Sequence, residues 1–363
     1  MKNVLDGIRV VEIAALGPAP FAAMMLADAG ADVVRITRPD DPGHSGGILE
    51  RGRPTFQIDL KDAESRCEVA ALIKTADVLI EGFRPGVMER LGLGPDICLA
   101  ENPRLVYARM TGWGQNGSLA KRPGHDINYL AHIGALHCLA RRDEPPMPPL
   151  NLVADFGGGG MLLAYGVLAA LIGRGTTGRG CVVDAAMADG SNLLMVGVWS
   201  RLARGSWSNT PGTNDIDTGA PYYNVYETSD GRYLAFGAVE PAFYRQALTV
   251  LKLSPDDFVA SQHDRADWPR AREAIANAVR TRDFAHWQSA FDNVDACVTP
   301  VLTLEEALQT PFARERGLFT DVDGAAHPSP APRFGYATPS REVPDGDSLH
   351  DISERWGRQD IPK

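Results

Sequence analysis

His125 and Asp155 are the pair in this chain whose types and surroundings suit proton-transfer chemistry. His125 stands in Gly124-His125-Asp126-Ile127-Asn128-Tyr129, and Asp155 opens Asp155-Phe156-Gly157-Gly158-Gly159-Gly160 after a proline-rich run at 145–150. A helix over residues 125–139 travels roughly 21 Å at ~1.5 Å per residue. An extended run of about eight residues from Pro145 returns roughly 25 Å at ~3.1 Å per residue. The two side chains then meet at one end, each opening a helix, where the terminus disfavours an imidazolium and favours a carboxylate, so both are poised as bases. The glycines after Asp155 let backbone N–H groups approach a ligand, as an oxyanion site requires, and an acid–base pair beside such a site suits enolate chemistry. The same residues fit a structural account: Asp155 as an N-cap, His125 as a satisfied structural histidine, the glycines as points of close helix packing. Spacing leaves both accounts open.

Other chemistry-bearing candidates are weaker. His44, His132, His137, His263, His286, His327 and His350 lack comparable partners, and Met24, Met25, Met161, Met187 and Met195 read mainly as core filler. Gly43-His44-Ser45-Gly46-Gly47 matches the G-x-S-x-G hydrolase elbow, but that serine needs a strand immediately before it, and Pro39, Asp40, Asp41 and Pro42 stand there instead.

The elements that must position His125 and Asp155 read as alternating strands and helices. Residues 8–13 form a buried strand, 17–20 a turn, 21–29 a helix and 32–37 a second strand, which is a βαβ unit. Strands at 78–81, 105–110 and 182–186 extend it to a doubly wound, mostly parallel, Rossmann-like α/β sheet. The first turn, Ala-Leu-Gly-Pro-Ala-Pro, lacks the G-x-G-x-x-G dinucleotide fingerprint, and the second strand ends in Arg38 rather than an acidic residue, so nicotinamide chemistry is a minor hypothesis. Arg38, Lys61, Arg84 and Arg90 fall near strand ends, where open sheets bind ligands, and suit a phosphate-bearing adenine ligand; each alone also reads as a solvated surface cation. The large domain is expected over 1–190, completed by 325–363, with a linker at 191–221, a small α+β domain at 222–300 and a return linker at 301–324. Residues 222–228 and 232–236 flank Ser229, Asp230 and Gly231 as a hairpin.

Composition limits the class. With 363 residues, 44% hydrophobic and 23% charged, the chain is neither disordered nor fibrous, and a net charge of −10 without a basic block makes nucleic acid a poor partner. Five cysteines without a C-x-x-C pair suggest a reducing compartment, and Asp6 and Glu12 interrupt any secretory core, so a cytoplasmic location is expected. The uncharged stretch 156–173 is expected to be a buried helix rather than a membrane span.

Further segments carry a resemblance: Gly7-Ile8-Arg9-Val10-Val11-Glu12, Ala31-Asp32-Val33-Val34-Arg35, the run 76–94, Ala108-Arg109-Met110-Thr111-Gly112-Trp113-Gly114-Gln115, 124–129, 155–159 and Val183-Asp184-Ala185-Ala186-Met187. In this order, over nearly the whole chain, they resemble family III CoA-transferases. The Gly-His-Asp form at 124–126 is similar to the α-methylacyl-CoA racemase branch, because the transferases usually carry an aromatic residue where His125 stands. The resemblance implies an isomerase that interconverts (2R)- and (2S)-2-methylacyl-CoA thioesters through an enolate, with no metal or redox cofactor, CoA being part of the substrate. His125 and Asp155 would flank the α-carbon, and Glu240, in Gly237-Ala238-Val239-Glu240-Pro241, would support His125. Implied CoA contacts are Arg38, Ile58, Asp59, Leu60, Lys61, Gly82, Phe83, Arg84, Arg90, Gly124, His125, Asp126, Ile127, Asn128 and Tyr129. Also implied is an interlocked homodimer with each active site between the large domain of one subunit and the small domain of the other. The alternatives are a CoA-transferase with Asp155 as covalent nucleophile and a non-catalytic CoA-binding protein. Proton donation needs Asp155 protonated, which a helix terminus opposes, so apolar substrate or the His125 charge must compensate.

Overall fold

The structure, a computed structural model, describes residues 3–39, 47–322, 324–335 and 348–358; most of the hydrolase-like segment 43–47 lies outside the described residues. Two compact units divide the chain, one of Met1–Ala135, Pro149–Val196 and His327–Lys363, the other of Leu136–Pro148 and Gly197–Ala326.

In the first unit, apolar runs without alternation form strands covered on both faces: β1 (Arg9–Ile13), β2 (Asp32–Thr37), β3 (Thr55–Gln57), β4 (Val78–Glu81), β5 (Val106–Thr111) and β6 (Val182–Ala186). They make one six-stranded sheet in the order β3-β2-β1-β4-β5-β6, all neighbours parallel. The chain moves outward one way from β1 and the other way from β4, so the carboxyl ends of these two strands border the crevice where such sheets hold ligands. Two crossover helices are α1 (Pro18–Asp28) and α2 (Ala63–Thr75). α1 begins three residues earlier than the sequence pattern suggests: Pro18 needs no amide partner at the first helical position, and Gly17 turns the chain into the helix at φ +70°. The sequence pattern missed β3, which at three residues is too short to display one. Val11, Val34, Leu72, Leu79 and Tyr107 are fully buried in the core, and the helix Leu349–Arg358 closes over it with Trp356. Trp356 is pinned twice, its Nε1 donating to Asp32 Oδ2 at 2.9 Å and its carbonyl accepting from Arg9 at 2.6 Å.

Two segments depart from the expected helices. The expected helix over 125–139 stops early: α3 spans Asp126–His132, and Gly134 breaks the path at φ +83°. Asp155 does not open an α-helix; it lies in the first turn of a π-helix, Leu152–Met161, that runs into α4 (Leu162–Thr177). The glycines of that π-helix serve packing. A Cβ on Gly158 would lie 2.5 Å from the Ser191 amide nitrogen of α5 (Met187–Leu194), and one on Gly160 would lie 2.6 Å from the Phe21 ring of α1. Of the two roles left open for these glycines, close helix packing is one that the geometry shows.

The apolar helix is not buried as expected. Leu152–Thr177 is long and apolar enough to cross a membrane, with a mean hydropathy of 1.7, but only 33% of that window is buried. Met161, Tyr165, Leu168 and Ile172 form an outward stripe at helical spacing.

In the second unit, β7 (Tyr223–Glu227) and β8 (Tyr233–Gly237) form an antiparallel hairpin, to which β9 (Val298–Pro300) adds an antiparallel edge. The helices Pro241–Val250, Trp268–Val279 and Phe284–Phe291 cover it, burying Tyr222, Phe236, Tyr244, Trp268 and Trp287 together.

Candidate active site

A cavity of about 550 Å³ opens at the carboxyl ends of β1 and β4. Its floor comes from the turns that follow those strands, Ala14–Pro18 and Gly82–Arg84, and its far side from Gly124, His125, Tyr129, Asp155 and Met187. A smaller recess of about 230 Å³ shares Gly124, His125 and Tyr129 and continues toward Thr111, Trp113 and Arg122.

Local structure holds each wall. After β4, the Phe83 amide donates to Glu81 Oε2 at 2.7 Å, which folds Gly82–Arg84 back over the strand end. Glu81 is fully buried and paired at 2.9 Å with Arg109, which also reaches Glu89 at 2.8 Å. Burial pushes the Glu81 carboxyl up to about 6, while the Phe83 amide and Arg109 pull it down. Buried charged pairs of this kind within β-strands were not singled out from sequence, because their composition is that of ordinary surface residues.

His125 is the N-cap of α3, in extended backbone, and its own amide donates to Asn128 Oδ1 at 3.0 Å. One turn on, Tyr129 donates to the Gly124 carbonyl at 2.6 Å and stands edge-on to Trp113 with ring centroids 4.7 Å apart. A Cβ at Gly124 or Gly112 would strike the Tyr129 ring, so glycine is required at both positions. Burial, with the Asp155 charge next in size, pushes the Tyr129 hydroxyl up to about 12.

Asp155 faces the same cavity, close to Gly17. Burial raises its carboxyl above the usual carboxylate range; the Asp126 charge adds to the rise, while a hydrogen bond from Asn151 (3.4 Å) and the nearness of His125 oppose it. The backbone amides of Ala154 and Asp155 are already taken by Asp126 Oδ2, at 2.7 and 2.8 Å. The amides of Ala154 and Asp155 are therefore engaged in the fold.

Of the residues singled out from sequence, the cavity wall brings together Arg38, Gly82, Phe83, Arg84, Gly124, His125, Tyr129 and Asp155. Ile58, Asp59, Leu60 and Lys61 follow β3, where the Ile58 amide donates to Thr37 at 2.7 Å and the Lys61 amide to Asp59 at 3.0 Å, and they stand outside that wall. Arg90, exposed at the end of a short helix, also lies outside it, as do Asp126, Ile127 and Asn128. Glu240 belongs to the second unit, where it is the exposed N-cap of the helix Pro241–Val250. Asp126, Asn151 and the Glu81–Arg109 pair are the supporting residues that sequence reasoning did not identify as such.

The site is thus a cavity at the carboxyl ends of β1 and β4 of a parallel α/β sheet, lined by His125, Asp155 and arginines. The chain belongs to CoA-transferase family III, whose profile matches residues 5–344. It is 46% identical over 329 residues to alpha-methylacyl-CoA racemase of Mus musculus, covering 91% of this chain and 85% of the relative. To the alpha-methylacyl-CoA racemase of Homo sapiens it is 43% identical over 358 residues, covering 97% and 93%. Among solved structures, Rv3272 of Mycobacterium tuberculosis superimposes with a TM-score of 0.79 at 26% identity, covering 97% of this chain and 99% of that one.

Proposed function

We propose that the chain is an acyl-CoA racemase that interconverts (2R)- and (2S)-2-methylacyl-CoA thioesters by moving one proton at the α-carbon. The observation that carries this is the convergence of His125 and a raised Asp155 carboxyl on one cavity at the strand switch point, in a chain 43–46% identical to two alpha-methylacyl-CoA racemases. The thioester acidifies the α-hydrogen. His125 takes that proton from one face and the electron pair of the C–H bond passes into the enolate. Asp155 gives its proton to the same carbon from the other face and becomes a carboxylate, and the opposite direction exchanges the two roles.

CoA is held by the residues whose positions match the family's contacts: Arg38, Ile58 to Lys61, Gly82 to Arg84, Arg90 and Gly124 to Tyr129, of which Asp126 turns its buried side chain away from the cavity and adds no side-chain contact. Glu240, from the second unit, orients His125 in an interlocked homodimer. The exposed apolar stripe of Met161, Tyr165, Leu168 and Ile172 on α4 is a face that the second copy covers in this reading. Five free thiols support a reducing, cytoplasmic setting.

The test follows chiral composition. Purified protein with (2S)-2-methylacyl-CoA as the sole reactant should yield both epimers, and hydroxylamine should trap no aspartyl adduct. Retention of the starting configuration, with a hydroxamate at Asp155 after a carboxylic acid is added, would make the chain a transferase instead.

A further inference from the structure

Asp126 follows the reacting histidine directly, yet its side chain turns away from the cavity. It is 5% exposed and forms no part of the wall that His125 and Asp155 share. Its Oδ2 accepts from the Ala154 amide at 2.7 Å and from the Asp155 amide at 2.8 Å. Its Oδ1 is buried with no hydrogen-bond partner. A bare carboxylate oxygen in a protein interior is costly and rare, so one retained beside a reacting group calls for a functional account.

We propose that Asp126 is a positioning residue for proton transfer, acting through Asp155: given the racemase chemistry proposed for this site, Oδ2 fixes the backbone of the proton donor while the Asp126 carboxylate, as a second acidic group beside it, keeps the neighbouring carboxyl in its protonated form. The reason lies in what the amides would otherwise do. The open N–H groups of a helix start stabilise any carboxylate in front of them and would hold Asp155 ionised. Asp126 takes up two of them and adds a second acidic group beside the first, and neighbouring carboxyls resist sharing two negative charges. This resolves the conflict between a carboxyl at a helix start and a carboxyl that must donate a proton.

The other charged and titratable groups around Asp155 do not duplicate the role. His125 and Tyr129 lie on the same stretch of chain as Asp126, and Arg38 and Arg84 stand in the cavity wall. The elements packed on the π-helix contribute Asp189 of α5, which is exposed, Asp184 of β6, which accepts from the Gln115 amide, and Arg109 of β5, which is held by Glu81 and Glu89. Of all these groups, Asp126 is the one that bonds the Asp155 backbone.

Asp126→Asn keeps an acceptor for the two amides and removes the charge; Asp126→Ala removes both. With (2S)-2-methylacyl-CoA and the full chain, racemisation is followed against pH by chiral analysis. In the direction in which Asp155 donates, Asp126→Asn should move the alkaline limb of kcat/KM, where the donor loses its proton, down by on the order of 1 pH unit. Asp126→Ala should lower kcat about 100-fold through misplacement of the donor, with KM nearly unchanged because Asp126 does not touch the cavity. An unshifted alkaline limb in Asp126→Asn, or KM and kcat changing together in both variants, would overturn the inference and leave Asp126 as scaffold. Absence of racemisation in the unsubstituted protein overturns the chemistry and this inference with it. Where the variants fail to fold, carbon-13 carboxyl NMR of the unsubstituted protein decides, with Asp155 assigned by its loss in Asp155→Asn. Asp155 titrating above Asp126 supports the inference, and the reverse order overturns it.

Discussion

The turn that presents His125 and the turn that presents Asp155 solve one problem in two ways. His125 is fixed by its own helix: its amide is taken by Asn128, three residues on. Asp155 is fixed from a distance, its amide taken by Asp126, 29 residues earlier, within a π-helix whose glycines admit α1 and α5 to backbone contact. Local capping makes a group easy to place; the non-local arrangement also sets the charge around the group. The difference teaches that the histidine needs only an address, whereas the aspartate needs an address and a proton.

The sharpest break in this pairing is removal of either reacting group. His125→Ala and Asp155→Ala should each lower racemisation by about 10²–10⁴-fold, the usual contribution of a positioned acid or base, while isothermal titration still detects CoA binding. Substitution at the crowded glycine of the Asp155 turn comes next. Gly158→Ala forces a Cβ to within 2.5 Å of the Ser191 nitrogen, and should cost about 1–3 kcal/mol of stability in chemical denaturation, as overpacking does. Gly173→Ala, in α4 with nothing within 4 Å of the added carbon, should instead stabilise by about 0.5–1 kcal/mol.

The strand end beneath both turns has its own signature. Glu81 is raised from 4.5 to about 6 by burial, so the folded state holds its proton more tightly than the unfolded state does. Its stabilising contribution is therefore fully present below pH 4.5 and lost as pH rises through 6, amounting to about 2 kcal/mol. Urea unfolding of Glu81→Gln against the unsubstituted protein should show the difference in stability changing across that window and constant above it. The smallest effect belongs to the local cap. Asn128→Ala should cost about 1 kcal/mol in thermal unfolding and leave the alkaline limb of the pH profile in place, in contrast to Asp126→Asn.

Much of this was legible in the sequence where the governing interactions are local. β2, β4 and β6 fall where their apolar runs predict, and the Ser229–Gly231 turn joins β7 to β8 as its residue types require. The meeting of His125 and Asp155 on one cavity was also anticipated, although the expected path was wrong because Gly134 ends the helix halfway. What the sequence concealed is non-local. A π-helix has no apolar period of its own to read, the glycines' packing partners lie on helices distant in sequence, and Asp126 looks like an ordinary first-turn acid until the 154–155 amides are seen on its oxygen. The short strands β3 and β9 exist through the neighbours they pair with rather than through propensity.

The most direct test of the central claim is incubation of the protein with (2S)-2-methylacyl-CoA in deuterium oxide, without added acid, followed at C2 by proton NMR. Two-base racemisation at His125 and Asp155 requires the C2 proton to be replaced by deuterium as both epimers form. A C2 proton that persists, with CoA passing to a carboxylic acid once one is supplied, would contradict it.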